Sequence, residues 1–151
     1  DVALTSVVVT PERAKTLDFT MPVADATQYY VVRNGETRIK SVADLAGKVV
    51  QYASFPEAYQ DLSNGRLDYV INGVVNLTSL VHEHPDRFRM GTAVGAPTYA
   101  AWAVAKGNTT LLRYLNSLLA RTRADGSLYA LQRKWLGTTF ESMPLSALSG
   151  N

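Results

Sequence analysis

The stretch SVVVTPERAKTLDFT, residues 6–20, joins an apolar strand pattern to a short helical segment. Thr10 followed by Pro11 is typical of a helix start, because threonine can cap free N–H groups and the fixed φ of proline suits the first helical position. Arg13 then lies in the first turn, where a cation opposes the helix dipole at a cost of roughly a few tenths of a kcal/mol. This arginine is therefore predicted to have a role other than stabilising the helix.

Strand and helix patterns alternate along the rest of the chain. We predict strands at residues 1–9, 29–33, 66–71, 87–94 and 98–107, with another beginning at 48–50, and helices at 41–47, 54–65, 74–84, 108–126 and 127–137. The alternation favours an α/β architecture with mostly parallel sheets. Ligands in such folds bind at the carboxyl ends of the strands. Because Arg13 comes just after the first strand, it is well placed to bind an anion.

Three of the predicted helices carry apolar residues at the spacing of a face that packs on a core. We predict that all three faces are buried and that none of them holds a cofactor. The residues are Phe55, Ala58, Tyr59 and Leu62 in the helix at 54–65, Leu111, Leu115, Leu118 and Leu119 in the helix at 108–126, and Leu128, Leu131 and Trp135 in the last helix.

Composition excludes several classes of protein. The chain has 151 residues and 46% hydrophobic content, which is enough for the core of one domain or of two small lobes. Its 15 basic and 13 acidic side chains are too balanced for a nucleic-acid groove. The chain has no cysteine, which excludes disulfides, thiolate zinc sites and a cysteine nucleophile. No apolar run approaches the roughly 18 residues that span a bilayer.

Motifs for catalysis and metal binding are missing from the sequence. His82 and His84 are two residues apart, whereas paired ligands on a helix need a separation of three or four. The sequence has no nucleophile elbow, phosphate loop or dinucleotide fingerprint. We therefore predict no metal, no cofactor and no enzymatic activity.

Four phrases of the sequence carry a resemblance to a known family. They are DVALTSVVVTPERAKTLDFTMP at 1–22, IKSVADLAGKVV at 39–50, SFPEAYQDLSNGRLDYVI at 54–71 and ADGSLYALQRKWLG at 124–137. In this order they resemble the amino-acid class of bacterial extracytoplasmic solute-binding proteins, of the family 3 type. Proteins of this class are the ligand-capturing subunits of ABC importers.

The resemblance implies a fold of the periplasmic-binding-protein type II, with two lobes that close on a ligand by a hinge motion. Lobe one would be residues 1–22 and 101–151, and lobe two residues 28–95, with crossings at 23–27 and 96–100. The implied ligand is an amino acid or another small carboxylate. The implied partner is a membrane ABC permease, and the implied location is periplasmic or otherwise extracytoplasmic.

The resemblance also assigns residues to a binding site. In such proteins the arginine of the TPER turn, here Arg13, grips the ligand carboxylate through its fork of N–H donors. The adjoining pocket wall would be formed by Thr5, Ser6 and Val8. The alternative is that Arg13 is a surface residue paired with Glu12 or Asp18.

The sequence departs from the family at the position that holds the ligand ammonium. The family usually has an acidic residue after the strand written here as RLDYVI, and this chain has Asn72 and Gly73 instead. Loss of a charge-assisted bond costs about 1.5 to 3 kcal/mol, roughly tenfold to a hundredfold in affinity. Either the ligand is not an ordinary α-amino acid, or Asn72 and water bind the ammonium weakly, or the site is inactive.

Two family segments are also missing from the sequence. A strand, a loop and a helix that usually follow GKVV are absent, so that Val50 runs directly into Gln51. The chain also opens on a strand, whereas two strand–helix units precede this strand in the family. We therefore expect a protein that is processed or truncated, or a sequence that is only part of the protein. The first strand would then expose an apolar edge, which further residues, a second chain or a rearranged fold must cover.

Two alternatives to solute binding remain. The first is a sensor or fragment that associates through the exposed strand edge, for example as a domain-swapped homo-oligomer. The second is an enzyme, such as a lyase, on the same fold, which requires a pocket acid or base of shifted pKa.

Overall fold

The computed structural model describes residues 2–45, 47 and 50–148, with Ser6 described by its backbone alone. Its strands are β1 (Val2–Val8), β2 (Leu17–Asp25), β3 (Gln28–Arg33), β4 (Val70–Gly73), β5 (Phe88–Ala93) and β6 (Tyr99–Ala105). Its α-helices are α1 (Phe55–Ser63), α2 (Val74–Glu83), α3 (Thr109–Ala124) and α4 (Ser127–Leu136). Lys48 and Val49, where a strand is predicted to begin, lie outside the described residues.

The chain forms two compact units, each with its own three-stranded sheet. One unit consists of Asp1–Ala26 and Ala96–Asn151, and the other of Thr27–Gly95. The first sheet has the order β1-β6-β2, and the second has the order β4-β3-β5. The sequence-based lobe boundaries and the hinge assigned to the two crossings stay predictions.

The predicted mostly parallel pairing is wrong for the described strands. In the first unit β6 pairs antiparallel with both β1 and β2, and in the second β3 pairs antiparallel with both β4 and β5. The outer strands of each sheet therefore run in the same direction, as a strand–helix–strand alternation requires. The alternation could not predict the middle strand, which comes from a distant part of the chain and runs in the opposite direction.

Two segments that were predicted to be helical form only single 3-10 turns. Residues Arg13–Lys15 and Val42–Asp44 form these turns. The second turn has the predicted cap at Ser41, whose backbone N–H donates to Asp44 Oδ2 over 2.8 Å in a capping box.

The predicted apolar faces of α1 and α3 point into the core. Ala58 and Leu62 of α1 are buried against Val31, Leu77 and Phe88 of the second unit. In α3 the most deeply buried residues of the predicted face are Leu115 and Leu119.

The prediction for α4 is wrong at two of its three apolar positions. Leu131 is 54% exposed and Trp135 is 72% exposed, whereas Gln132 is buried. The amide of Gln132 donates from Nε2 to the carbonyl of Val23 over 2.8 Å and accepts from the N–H of Phe140 over 2.9 Å. These two hydrogen bonds satisfy the buried amide and turn the apolar stripe away from the core.

A charged network holds the turn after β3. Glu36 is 7% exposed, and Arg38 donates to its carboxylate from Nη2 over 2.5 Å and from its backbone N–H over 2.7 Å. Arg38 also contacts Asp68 Oδ1 at 2.6 Å, and Arg89 donates to the carbonyl of Glu36 over 2.8 Å. The Arg38 side chain, with its backbone N–H, lowers the pKa of Glu36 from 4.5 to about 2.

No helix in the described part of the chain is both long and apolar enough to cross a membrane.

Gly91→Ala is expected to destabilise the second unit. A Cβ at Gly91 would lie 1.9 Å from Cζ of Tyr30, which is 1% exposed. Overpacking of this kind costs about 1 to 3 kcal/mol in the free energy of unfolding, measurable by urea denaturation. Gly35→Ala is the control, because a Cβ there meets nothing within 4 Å. Equal stability of the two variants would contradict the packing described for Gly91.

Acid is expected to remove the contribution of Glu36 to stability. Because its pKa is about 2 when folded and 4.5 ordinarily, the contribution is complete above pH 4.5 and is lost as the pH falls towards 2. Glu36→Gln should therefore be less stable at neutral pH, and its stability should depend less on pH between 4.5 and about 2. Thermal unfolding at several pH values measures both effects. Glu57→Gln, at an exposed position in α1, is the control and should keep the pH dependence of the parent.

Candidate functional site

Arg13 is positioned by the turn that follows β1. The backbone N–H of Arg13 donates to the hydroxyl of Thr10 over 3.2 Å, and the N–H of Ala14 donates to the carbonyl of Thr10 over 3.0 Å. The N-cap residue of the 3-10 turn Arg13–Lys15 is Glu12 and not Thr10 as the sequence predicts, but the Thr10 hydroxyl still accepts from the first N–H of the turn. These bonds fix the backbone of Arg13 in the turn between β1 and β2.

The guanidinium of Arg13 is exposed and bonded to the strand before it. Its Nη1 donates to the carbonyl of Val8 over 2.7 Å, which directs the group along the carboxyl end of β1. A guanidinium has five N–H donors, so this bond leaves most of them available.

The alternative ion pairs of Arg13 with Glu12 or Asp18 do not form. Glu12 pairs with Lys15 at 2.6 Å, and Asp18 pairs with Lys106 at 2.8 Å. The hydrogen bond from Lys106, with that from the backbone of Gly107, lowers the pKa of Asp18. Among the described residues no carboxylate forms an ion pair with Arg13, so its charge is available to an anion from outside the chain.

The other predicted residues of the first unit lie along β1. Thr5 is exposed, and Val8 is half-buried and paired with Ala100. Ser6 is in β1 by its backbone. The register against β6 shifts between Ala3 and Val7, an irregularity of the kind that redirects side chains near a site. The structure thus brings Arg13 into contact with Val8, through the carbonyl of Val8 and not through its side chain.

Asn72 and Gly73 lie together at the carboxyl end of β4. Asn72 Oδ1 accepts from the N–H of Gly73 over 2.7 Å and from Asn76 Nδ2 over 3.2 Å. Gly73 is the N-cap of α2 with φ −60° and ψ 144°, angles that any residue can adopt. A Cβ at Gly73 would meet only Gln28 Nε2, at 3.8 Å. The backbone therefore does not require glycine here, and there is room for a Cβ.

A cavity of about 690 Å³ lies beside β4 in the second unit. Its lining includes aromatic and aliphatic side chains together with charged and amide groups, among them Tyr52, Phe55, Arg66, Asp68, Ile71 and Asn72. Sequence reasoning missed this cavity, apart from Asn72. Local sequence patterns carry no signal for it, because its walls come from separate segments of the chain.

The cavity also touches the point where we predict that a family segment is missing. Val50 and Gln51, the residues on either side of that point, both line it. In the described part of the chain β4 pairs with β3 alone, so β4 is an edge of the sheet on this side.

No group of three or more His, Cys, Asp or Glu among the described residues could hold a metal ion.

Comparison with known proteins gives a family match over most of the chain. A family model described as "Bacterial extracellular solute-binding proteins, family 3" matches residues 1–138. The L-cystine-binding protein TcyJ of Escherichia coli (strain K12) is 29% identical over 160 residues, which cover 91% of this chain and 60% of TcyJ. The "Putative ABC transporter arginine-binding protein 2" of the same strain is 30% identical over 151 residues, which cover 84% of this chain and 62% of that protein.

Solved structures give the same match. The structure described as "An ancestral arginine-binding protein bound to arginine" has a TM-score of 0.75 and 29% identity, and the match covers 89% of this chain and 71% of that one. The chain spans about 60% of the length of the first curated relatives that it matches.

Proposed function

The chain belongs to the bacterial extracellular solute-binding proteins of family 3, and on this premise we propose that it binds a small carboxylate-bearing solute for ABC-type import. The proposed ligand is an amino acid or a derivative of one. Related proteins are named for the binding of cystine and arginine. The match to the solved ancestral arginine-binding protein confirms the predicted fold class, an α/β fold of the periplasmic-binding-protein type II.

The observation that carries this proposal is the free guanidinium of Arg13. It is exposed, fixed to the carbonyl of Val8 at 2.7 Å, and without an ion pair among the described residues. A fixed guanidinium can bind a carboxylate through two parallel N–H···O bonds, which a flexible lysine cannot do. Thr5, Ser6 and Val8 on β1, and Asn72 and Gly73 on β4, complete the proposed set of binding residues.

The proposed partner is the permease of an ABC transporter, and the proposed location is periplasmic or otherwise extracytoplasmic. Both follow from the family, whose description is extracellular and solute-binding.

Electrostatics favours binding over catalysis. Each carboxylate with a shifted pKa in the described part of the chain has it lowered, namely Asp18, Glu36, Asp44 and Asp125. A general acid at neutral pH needs a raised carboxyl pKa. These four groups accept hydrogen bonds from lysine, arginine or serine side chains or from backbone N–H groups, and their role is structural.

A second candidate is association through β1. This strand pairs with β6 alone among the described strands, and Leu4 on it is 59% exposed. An edge of this kind can pair with another strand, including one from a second copy of the chain.

Arg13→Ala is expected to abolish carboxylate binding and leave the fold intact. The side chain is exposed and its one hydrogen bond is to Val8, so its loss removes the anion contact without a cavity. A charge-assisted bidentate contact contributes about 3 kcal/mol or more, roughly a hundredfold in affinity measured by calorimetry. Arg113→Ala, which removes an exposed arginine of α3 instead, is the control and should bind like the parent.

Unchanged ligand affinity in Arg13→Ala would contradict the proposed function. If the parent binds no amino acid and light scattering shows a dimer or larger species, association through β1 is the better account.

Gly73→Asp is expected to raise the affinity for α-amino acids by about tenfold to a hundredfold, because it supplies a carboxylate for the ligand ammonium. The backbone angles allow aspartate at this position, and its Cβ would lie 3.8 Å from the nearest atom. Calorimetry with L-phenylalanine and with 3-phenylpropanoate, which lacks the amine, separates a gain that depends on the ligand ammonium from a general gain in affinity. The affinity for 3-phenylpropanoate should not rise. Gly35→Asp is the matched control, and a gain of equal size there would count against a local contact at position 73.

A further inference from the structure

We infer that Asn72 and Gly73 form a site of spontaneous covalent modification, at which the side-chain amide of Asn72 is converted to a carboxylate through a cyclic succinimide. The site lies entirely within the second unit, where β4 ends and α2 begins. The reaction uses only groups of the chain and water.

The chemistry requires an asparagine followed by a residue whose backbone nitrogen is unhindered. Asparagine is one of the thermolabile residues of proteins, and glycine has no Cβ to block an approach to its nitrogen. The sequence has three Asn–Gly pairs, at 34–35, 64–65 and 72–73. The residue types are the same in all three, so the local structure decides which pair reacts.

The reacting atoms are held close together at Asn72. The N–H of Gly73 donates to Asn72 Oδ1 over 2.7 Å, which places the nitrogen beside Cγ, the carbon that carries Oδ1. Proximity of two reacting groups removes much of the entropic cost of ring closure.

The N–H of Gly73 takes no part in the pairing of β4 with β3. Gly73 is opposite Gln28 in this antiparallel pair. The next residue, Val74, donates to the carbonyl of Thr27 over 2.9 Å. Because hydrogen-bonded and non-hydrogen-bonded residue pairs alternate along an antiparallel ladder, Gly73 and Gln28 form a non-hydrogen-bonded pair. Reaction at the Gly73 nitrogen therefore breaks no hydrogen bond of the sheet.

Asn76 supplies a second donor to the same oxygen. Its Nδ2 donates to Asn72 Oδ1 over 3.2 Å from the first turn of α2. When the Gly73 nitrogen adds to Cγ, Oδ1 becomes an oxyanion, and a donor that already points at this oxygen stabilises the new charge. Asn76 therefore accelerates ring closure at Asn72.

The other two Asn–Gly pairs are held in less reactive arrangements. The N–H of Gly65 donates to the carbonyl of Leu62 over 3.2 Å, so this bond must break before the nitrogen can react. The side-chain amide of Asn34 donates from Nδ2 to the carbonyl of Pro85 over 2.9 Å, which holds the amide on another part of the chain.

The reaction balances with water as the only co-reactant. The Gly73 nitrogen gives its proton to solvent and bonds to Cγ of Asn72, while the bond from Cγ to Nδ2 breaks and Nδ2 takes up a proton and leaves as ammonia. Water then adds to one of the two carbonyls of the ring. Opening at Cγ gives aspartate, and opening at the backbone carbonyl gives isoaspartate, in which the chain continues through Cγ. Either product has one more negative charge than the parent.

The modification also changes the proposed binding site, and this consequence rests on the proposed function. Asn72 belongs to the proposed set of binding residues, and a carboxylate there can form a charge-assisted hydrogen bond with the ammonium of an amino acid. Asn72→Asp, which carries the aspartate product, should bind L-phenylalanine about tenfold more tightly than the parent and should bind 3-phenylpropanoate no more tightly. Equal affinity of the variant and the parent for L-phenylalanine would refute this consequence.

The test is peptide mapping by mass spectrometry after incubation of the folded chain at mildly alkaline pH, which measures the conversion at each Asn–Gly pair. We expect Asn72 to be converted about fivefold faster than Asn64, because one hydrogen bond fewer must break. Asn76→Ala should slow the conversion of Asn72 about three- to tenfold. Ser79→Ala, at an exposed polar position of the same helix, is the matched control and should react like the parent. In concentrated urea the lead of Asn72 should disappear, because the local structure is lost.

Two results would overturn the inference. The first is equal conversion of the three Asn–Gly pairs in the folded chain, and the second is a folded chain in which Asn72 stays unmodified while another pair reacts. Equal rates in Asn76→Ala and Ser79→Ala would refute the role assigned to Asn76. Peptide mapping needs no ligand, so a parent that binds no amino acid would count against the proposed function and leave the modification standing.

Discussion

Each unit of this protein depends on one strand that joins two others. β6 is hydrogen-bonded on both sides, to β1 and to β2, and β3 is hydrogen-bonded on both sides, to β4 and to β5. Without its middle strand, neither sheet would have any pairing between its outer strands. The middle strands are also buried. The residues that are almost completely shielded from water include Val31 and Val32 of β3 and Ala101 and Val104 of β6.

The middle strands also place the candidate binding groups. Because β1 and β2 both run antiparallel to β6, the turn after β1 carries Arg13 at one end of the sheet. The Val8 carbonyl then fixes the guanidinium at 2.7 Å, and two lysines pair with the carboxylates that could have neutralised it. In the second unit the carboxyl end of β4 carries Asn72 at the cavity. Each unit thus presents polar groups at a strand end, which is the usual place for ligands in α/β folds.

Local chemistry explains which features could be predicted from the sequence. The hydrogen bond to the Thr10 hydroxyl and the cap at Ser41 were predictable because each hydrogen bond spans only a few residues. The apolar faces of α1 and α3 were predictable because their helical spacing coincides with burial. The exposure of Trp135 was not predictable, because it follows from hydrogen bonds of Gln132 to Val23, far away in the sequence, and to Phe140. The cavity beside β4 was missed for the same reason, since its walls come from separate segments.

The sequence by itself determined the α/β class, the family, the position of Arg13 after an apolar strand and the absence of an acidic residue at 73. These features follow from local residue patterns or from the order of the four family-like phrases along the chain. Only the tertiary structure decided the direction of the middle strands, the partners of Glu12 and Asp18, and the cavity that Ile71 and Asn72 share with Tyr52 and Phe55. The physical reason is that strand pairing, ion pairing and cavity shape depend on contacts between residues far apart in sequence, which local propensity does not encode.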